Sequence, residues 1–397
     1  MMLLGWLTGN EALEWLGSWL PLGLRLPTAM VAVSGGVIAV FATLFAVVTW
    51  MERKGLGRIQ NRPGPNRVGP FGLFQPVADG VKMLVKEDIV PHKADRVVHF
   101  LAPVVMLAPV TLAFAVIPYG QNLVPVNLDA GLLFFFAVGS ASELAAFMAG
   151  WSSRNKYSLL GAMRAIAQMI SFELPLVLST IAVIMMVGSL SLSQMVEAQA
   201  GYWGWLPRWH VFTPWGLAGF LLFMTAATAE SNRSPFDLPE GESEIIGGFM
   251  TEYSGFKYAV FFMAEYFGMF AVSGLAITLF LGGWRAPLPL LEGVPSFVWF
   301  FAKLLVLVLG FIWIRGTLPR LRADQLMNFA WKFLLPLALI NVLVAALWHY
   351  TAPWPFKGAL ISRWMLCMLA MAVPYVGLGR ALMRHRQWGP RIYRFAS

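Results

Sequence analysis

The feature that most constrains this chain is a recurrence of apolar runs, each about 20 residues long, from near residue 28 to near residue 382. A helix of that length crosses the roughly 30 Å hydrocarbon layer of a bilayer. Backbone groups in that layer find no water, so each segment must satisfy its own hydrogen bonds as a helix. Hydrophobic residues make up 58% of the 397 positions and charged residues only 12%. An ordinary soluble domain carries about 25% charged residues. The chain therefore reads as an all-α fold, a polytopic integral membrane helix bundle, with no polar linker to set a soluble domain apart.

Nine spans are expected, at about residues 28–51, 97–118, 131–150, 158–187, 214–229, 258–282, 297–314, 329–348 and 362–382. The ninth is interrupted by Pro374 and several glycines. Residues 1–27 lack a basic leader and a cleavage site, and Leu13, Leu16, Trp19 and Leu20 share a helical face. That pattern suits an amphipathic helix on the membrane surface. The organisation follows as an N-terminal segment (1–27), an eight-span core (28–348), and a ninth span with a basic tail (349–397).

The net charge of +9 matters through its placement. Loop 52–96 alone holds nine Lys and Arg residues, and Arg154, Lys156, Arg233, Lys257, Arg315, Arg320 and Arg322 fall on the same side. The opposite side has Arg25, Arg208, Arg285 and Lys357. Basic loops stay in the cytoplasm, which places the N-terminus outside and, given the ninth span, the C-terminus inside. The charge is therefore topogenic and implies no nucleic acid. One cysteine, Cys367, in an apolar run reads as a buried thiol and cannot hold an iron–sulfur cluster. Five histidines without ligand spacing leave no metal site to expect.

The acids carry the chemistry. Glu143, Glu173 and Glu265 lie inside apolar runs, where a charge costs roughly 2.5–3.5 kcal/mol near the bilayer centre. Their readings are structural pairing between helices or a proton path through coupled carboxylates. Arg164, nine residues before Glu173, is a candidate partner, and Lys303 is a further charge within a span. Lys332 and Arg363 stand near span ends and are expected to snorkel to the interface. Pro175 removes a hydrogen bond to the carbonyl near Ser171, so a bend is expected beside Glu173.

Two loops stand out. The stretch 230–252 gathers Glu230, Asp237, Glu240, Glu242, Glu244 and Glu252 among turn formers, with Phe236, Leu238, Ile245 and Ile246 interleaved. It reads as a loop folded in at the membrane face, against the alternative of a solvated acidic loop. Loop 52–96 has a Pro- and Gly-rich turn region, then Phe71, Phe74, Val81 and Leu84 or Val85 at helical spacing. It predicts an interfacial amphipathic helix, either a basic loop on anionic lipid or an entrance wall for a lipid-soluble substrate anchored by Asp79.

The motifs ERKGLGRIQNRPGPNRVGPFGLFQPVADGVKML, LLGAMRAIAQMISFELP, AESNRSPFDLPEGESEIIGGFMTEYSG with FMAEYF, and IRGTLPRLRADQLMNFAWK occur in that order. Together they closely resemble the H-type membrane subunit of bacterial respiratory complex I, the proton-pumping NADH:quinone oxidoreductase. The resemblance covers about residues 30–348. It implies a subunit of the bacterial inner membrane that joins the peripheral electron-transfer arm to the membrane arm. Its neighbours would be iron–sulfur and quinone-site subunits and small membrane subunits, and its substrate ubiquinone or menaquinone, with no iron–sulfur cluster or flavin of its own. Carried over, Arg53, Asp79, Arg233 and Asp237 would line or support a quinone chamber. Glu230, Glu240, Glu242, Glu244, Glu252, Glu265, Glu173 and Arg164 would form an acidic proton path, with Glu143 added as an acid within a span. Ser231 stands where the family commonly has threonine, which keeps the hydroxyl. A membrane anchor of an energy-converting hydrogenase shares this ancestry and needs no quinone, but the strong ERK-to-ADGVK stretch argues against it. A proton-coupled secondary transporter would show internal repeats, and none is found.

Overall fold

A computed structural model describes residues 22–238, 247–352 and 359–384 of the chain, with side chains in residues 31–238, 247–352 and 360–383. Glu240, Glu242, Glu244, Ile245 and Ile246, and the expected surface helix before residue 22, lie outside the described residues.

Helix α1 (Leu22–Ile59) begins before the expected span and runs on past it. Glu52, Arg53 and Lys54 therefore stand on the last turns of a helix instead of in a loop. A short 3-10 turn at Pro70–Gly72 leads into α2 (Gln75–Val85). The expected amphipathic helix forms but starts after both Phe71, whose φ of 54° belongs to the turn, and Phe74, its N-cap. Val77, Val81, Leu84 and Val85 are exposed along it.

The bundle continues with α3 (Arg96–Ala113), α4 (Gly131–Gly139), α5 (Ala141–Ser152), α6 (Lys156–Val187) and the short α7 (Leu192–Glu197). A two-residue antiparallel pair, β1 (Tyr202–Trp203) with β2 (Leu206–Pro207), precedes α8 (Pro214–Glu230). Then follow α9 (Gly255–Phe280), α10 (Ser296–Thr317), α11 (Ala323–Phe329), a π-helical turn at Ala330–Leu334, α12 (Leu335–Tyr350) and α13 (Ala359–Arg384). Among the described residues eight segments are long and apolar enough to cross a membrane. Helix α8, with 17 residues, spans about 26 Å and makes the ninth. Each expected span thus has its helix, the third split at Ser140 into α4 and α5 and the eighth built from α11, the π turn and α12.

Local chemistry sets the boundaries. The Asp95 and Asn155 side chains accept from Val97 N at 3.2 Å and Tyr157 N at 3.0 Å, which starts α3 and α6. Thr213 caps α8, with Pro214 in its first turn. Gly188, at φ 74°, ends α6 in the left-handed region. Helix α6 has 32 residues and passes unbroken through Pro175. The Ser171 hydroxyl donates to Ala167 O at 2.6 Å and accepts from Trp331 Nε1 at 3.2 Å.

Helix α9 is the axis of the bundle. Of its membrane window 78% is buried, against 11% for α1 and 6% for α13. Helix α8 lies between α6, α9 and α12, while α5 packs between α3 and α6. Gly161 lets the 247–250 turn sit directly on α6, because a Cβ there would come within 2.7 Å of the Gly248 backbone. Cys367 is buried as expected.

On the less basic face, His210 lies in the segment leading into α8, and its Nδ1 is 2.8 Å from Leu279 O. Burial pushes its pKa down from 6.5 to about 4. The unfolded chain therefore binds more protons between those values, so His210 favours folding fully above pH 6.5 and loses that contribution as pH falls toward 4. A shift of this size corresponds to roughly 3 kcal/mol. We expect the thermal midpoint of the purified assembly to drop over this window and His210→Gln to flatten the drop. An unchanged pH slope in that variant would remove His210 as its cause.

Candidate functional site

Four elements bring their charged side chains together at the basic end of α9. Glu52 from α1 is buried and accepts a hydrogen bond from Arg315 on α10 and another, at 2.6 Å, from the Tyr266 hydroxyl on α9. Arg233, from the turn after α8, lies flat over the Tyr266 ring at 3.9 Å with Nη1 3.6 Å from Glu52 Oε1. One buried carboxylate thus faces two guanidiniums and a phenol. Burial works against the Arg233 charge, but Tyr266, Glu52 and Glu265 outweigh it and raise its pKa. Among the described residues, Arg233 Nε and Nη2 have no hydrogen-bond partner.

The turn holding Arg233 is fixed from below. Gln168 of α6 is fully buried, and its Nε2 donates to Ala229 O and Phe236 O, both at 2.7 Å, clamping the two ends of the turn. Phe236 and Leu238 are buried, as the interleaved pattern anticipated. Asp237, at the end of this segment, is bound by Arg320 Nη2 at 2.5 Å. Burial raises the Asp237 pKa, and Arg320, Arg315 and Arg233 offset part of that rise.

Arg53 and Asp79 form a separate pair toward the outside. Arg53 on α1 binds Asp79 on α2, Gln75 Nε2 donates to Asp79 Oδ1 at 3.1 Å, and Lys82 Nζ is 3.6 Å away. Partial burial raises the Asp79 pKa, but Arg53, Gln75 and Lys82 together bring it below the ordinary value. This pair fixes the interfacial helix α2 to the end of α1.

The acids within the spans form a second group. Glu143 on α5 and Glu173 on α6 lie close enough for their carboxyls to act on each other. Glu230, the last residue of α8, is half-buried within the electrostatic reach of both. Only Ser231 and Asn232 separate it from Arg233, so the two groups meet at the end of α8. Glu265 is buried on α9 close enough to act on Arg233. Glu143, which the motifs alone did not anchor, lies within electrostatic reach of Glu173 and Glu230. Arg164 is half-buried on α6, on the same helix as Glu173. Glu252 lies on the basic face beside the start of α6, where Asn155 Nδ2 donates to it at 2.6 Å.

Glu52, Tyr266, Arg315, Arg320 and Gln168 were not singled out from the sequence. Glu52 and Arg315 stand 263 positions apart. The available signal was an acid placed at a span end against the basic pattern of its loop, the E of the ERK motif.

The family model described as NADH dehydrogenase matches residues 33–346, the stretch from α1 through most of α12 that carries both groups of charges. The chain belongs to this family. Curated relatives, each named as the H subunit of an NADH-quinone oxidoreductase, agree. The protein of Dehalococcoides mccartyi strain CBDB1 is 52% identical over 307 residues, covering 77% of this chain and 83% of the relative. That of Brevibacillus brevis is 47% identical over 310 residues, covering 78% and 90%. That of Koribacter versatilis is 44% identical over 336 residues, covering 78% and 94%. The family's stretch stops before α13, so the site is built from family elements alone.

Proposed function

We propose that this chain is the membrane subunit of an NADH:quinone oxidoreductase that forms part of the quinone chamber and couples quinone reduction to proton translocation. The observation that carries the reading is the buried Glu52–Tyr266–Arg233–Arg315 cluster, three residues along the chain from Glu230, which lies within reach of Glu173 and Glu143. Quinone enters between α1, α2 and α9, with Arg53 and Asp79 at the rim and Arg233 and Asp237 toward the inside. It accepts two electrons from the iron–sulfur partner and two protons to leave as quinol. Negative charge arising on the quinone during reduction is attracted to Arg233 and Arg315 and weakens their hold on Glu52.

The resulting change in field reaches Glu230. Glu230 then exchanges a proton with Glu173 and Glu143, so charge moves inward without a continuous ion pair. Glu240, Glu242, Glu244, Glu252, Glu265 and Arg164 belong to the entrance of this path. In this reading the chain sits in the bacterial plasma membrane, with its N-terminus outside and its C-terminus in the cytoplasm. Peripheral iron–sulfur and quinone-site subunits cover the basic face around Arg233 and Asp237, and smaller membrane subunits flank the bundle.

Glu230→Gln tests the coupling. Quinone reduction and proton pumping in membranes are expected to lose the larger part of their rate together, with the assembled complex still present at normal abundance. Full retention of both activities overturns the role given to Glu230.

A further inference from the structure

A cleft of about 570 Å³ opens on the basic face between the segment before α3 and the turn joining α5 to α6. Three membrane helices end at its rim: α3 starts at Arg96, α5 ends at Ser152 and α6 starts at Lys156. The two segments are tied by Asp95 N donating to Ser152 O at 3.0 Å. Lys93, Arg154 and Lys156 line the cleft with exposed side chains, joined by His92. One carboxylate, Glu252, faces these three cations, and Asn155 already occupies one of its oxygens. The cleft therefore carries an excess of positive charge, increased by the opening turn of the 32-residue α6.

Beneath this rim the surface turns apolar and aromatic. Val97 and Phe100 on α3, Trp151 on α5, and Tyr157 and Leu160 on α6 are each more than half exposed. Exposed Trp and Tyr beside basic residues at the ends of spans mark the headgroup level of a membrane. An acidic protein segment would match the cations and leave this apolar apron uncovered, whereas a phospholipid matches both.

We infer that the cleft binds the phosphate headgroup of an anionic phospholipid through Lys93, Arg154 and Lys156, with its acyl chains along the exposed faces of α3 and α6. Such basic pockets at the ends of membrane helices suit anionic headgroups. The test uses the whole assembled complex in nanodiscs with phosphatidylglycerol carrying a photoreactive group beside its phosphate, against the matching phosphatidylcholine.

Peptides covering residues 91–96 and 151–157 are expected to label about ten-fold more with phosphatidylglycerol. Arg154→Gln combined with Lys156→Gln should abolish that preference while labelling elsewhere on the complex stays unchanged, and millimolar inorganic phosphate should not displace the lipid. Equal labelling by the two lipids overturns the site. So do displacement by phosphate alone, which marks a simple anion site, and cross-links from the cleft to another subunit in place of lipid. Should the double variant fail to assemble, the ratio of the two lipids on the unsubstituted complex decides.

Discussion

Glu52→Gln is expected to destabilise the subunit by roughly 3–5 kcal/mol, because it removes the carboxylate that both guanidiniums approach directly. Arg315 and Arg233 both point at Glu52 Oε1, and the Tyr266 hydroxyl donates to the other oxygen at 2.6 Å. A glutamine keeps the shape and one acceptor but no charge. The guanidiniums, Arg233 itself being buried, would then be left with only the more distant Glu265 and Asp237 to offset them. The thermal midpoint of the assembly should fall and quinone reductase activity with it. Tyr266→Phe, which removes only a hydrogen bond, should cost about 1 kcal/mol. The decisive measurement is a double-mutant cycle. Arg315→Met in the Glu52→Gln background should cost far less than in the parent, since the charge it removes is no longer paired. Strictly additive single effects would show that these groups do not act as a cluster.

Much of the frame around this cluster was legible in the sequence. Apolar run length located nine helices, and turn formers located the folded-in segment after α8. The 32-residue length of α6 was visible as an overlong apolar run, and the buried Phe236 and Leu238 were visible as anchors between acids. What stayed hidden was rotation about the helix axes. In a bilayer a helix is apolar on the lipid side as well as toward its neighbours, so the periodicity that marks an inner face in soluble proteins is lost. Helix α9 is buried nearly all round, and nothing in its sequence says that Tyr266 turns toward α1. Glu143 and Glu173 could be named as costly acids, but their nearness depends on the crossing of α5 and α6.

The same limit explains the helix ends. Span 28–51 was ended at Glu52 because charge replaces apolar residues there. In the folded chain α1 continues to Ile59, since a helix leaving the membrane keeps its backbone bonds and only its solvent changes. Glu52 is buried because α9 and α10 close over that extension. Arg363, expected to snorkel, instead donates through Nη2 to Trp348 O at 2.7 Å and through Nε to Thr351 Oγ1 at 3.2 Å. The last carbonyls of a helix lack intrahelical partners and carry its negative pole, so a cation from a neighbouring helix is a natural cap.

Lys303 makes that argument at larger scale, and its loss should be among the most damaging single changes outside the charge cluster. Its Nζ, on α10, donates to Leu281 O at 2.7 Å and to Gly283 O and Arg285 O at 2.8 Å each. These carbonyls follow the end of α9, where water is excluded by Trp209, whose ring lies 4.0 Å from the same ammonium. Gln199 completes the cap, with Nε2 on Thr278 O and Leu279 O and Oε1 receiving Gly282 N at 2.9 Å. An ammonium has three protons, and here all three are used. Lys303→Met keeps the stem but leaves three carbonyls without their donor. At about 1–3 kcal/mol for each unmet buried group, a net loss of roughly 3–5 kcal/mol is expected after local relaxation. Lys303→Gln restores two donors and should fall between. The checks are the thermal midpoint of the purified assembly and proteolysis at residues 281–285, which should accelerate in the methionine variant. A methionine variant as stable as the parent would mean that the α9 end is held by Gln199 and packing alone.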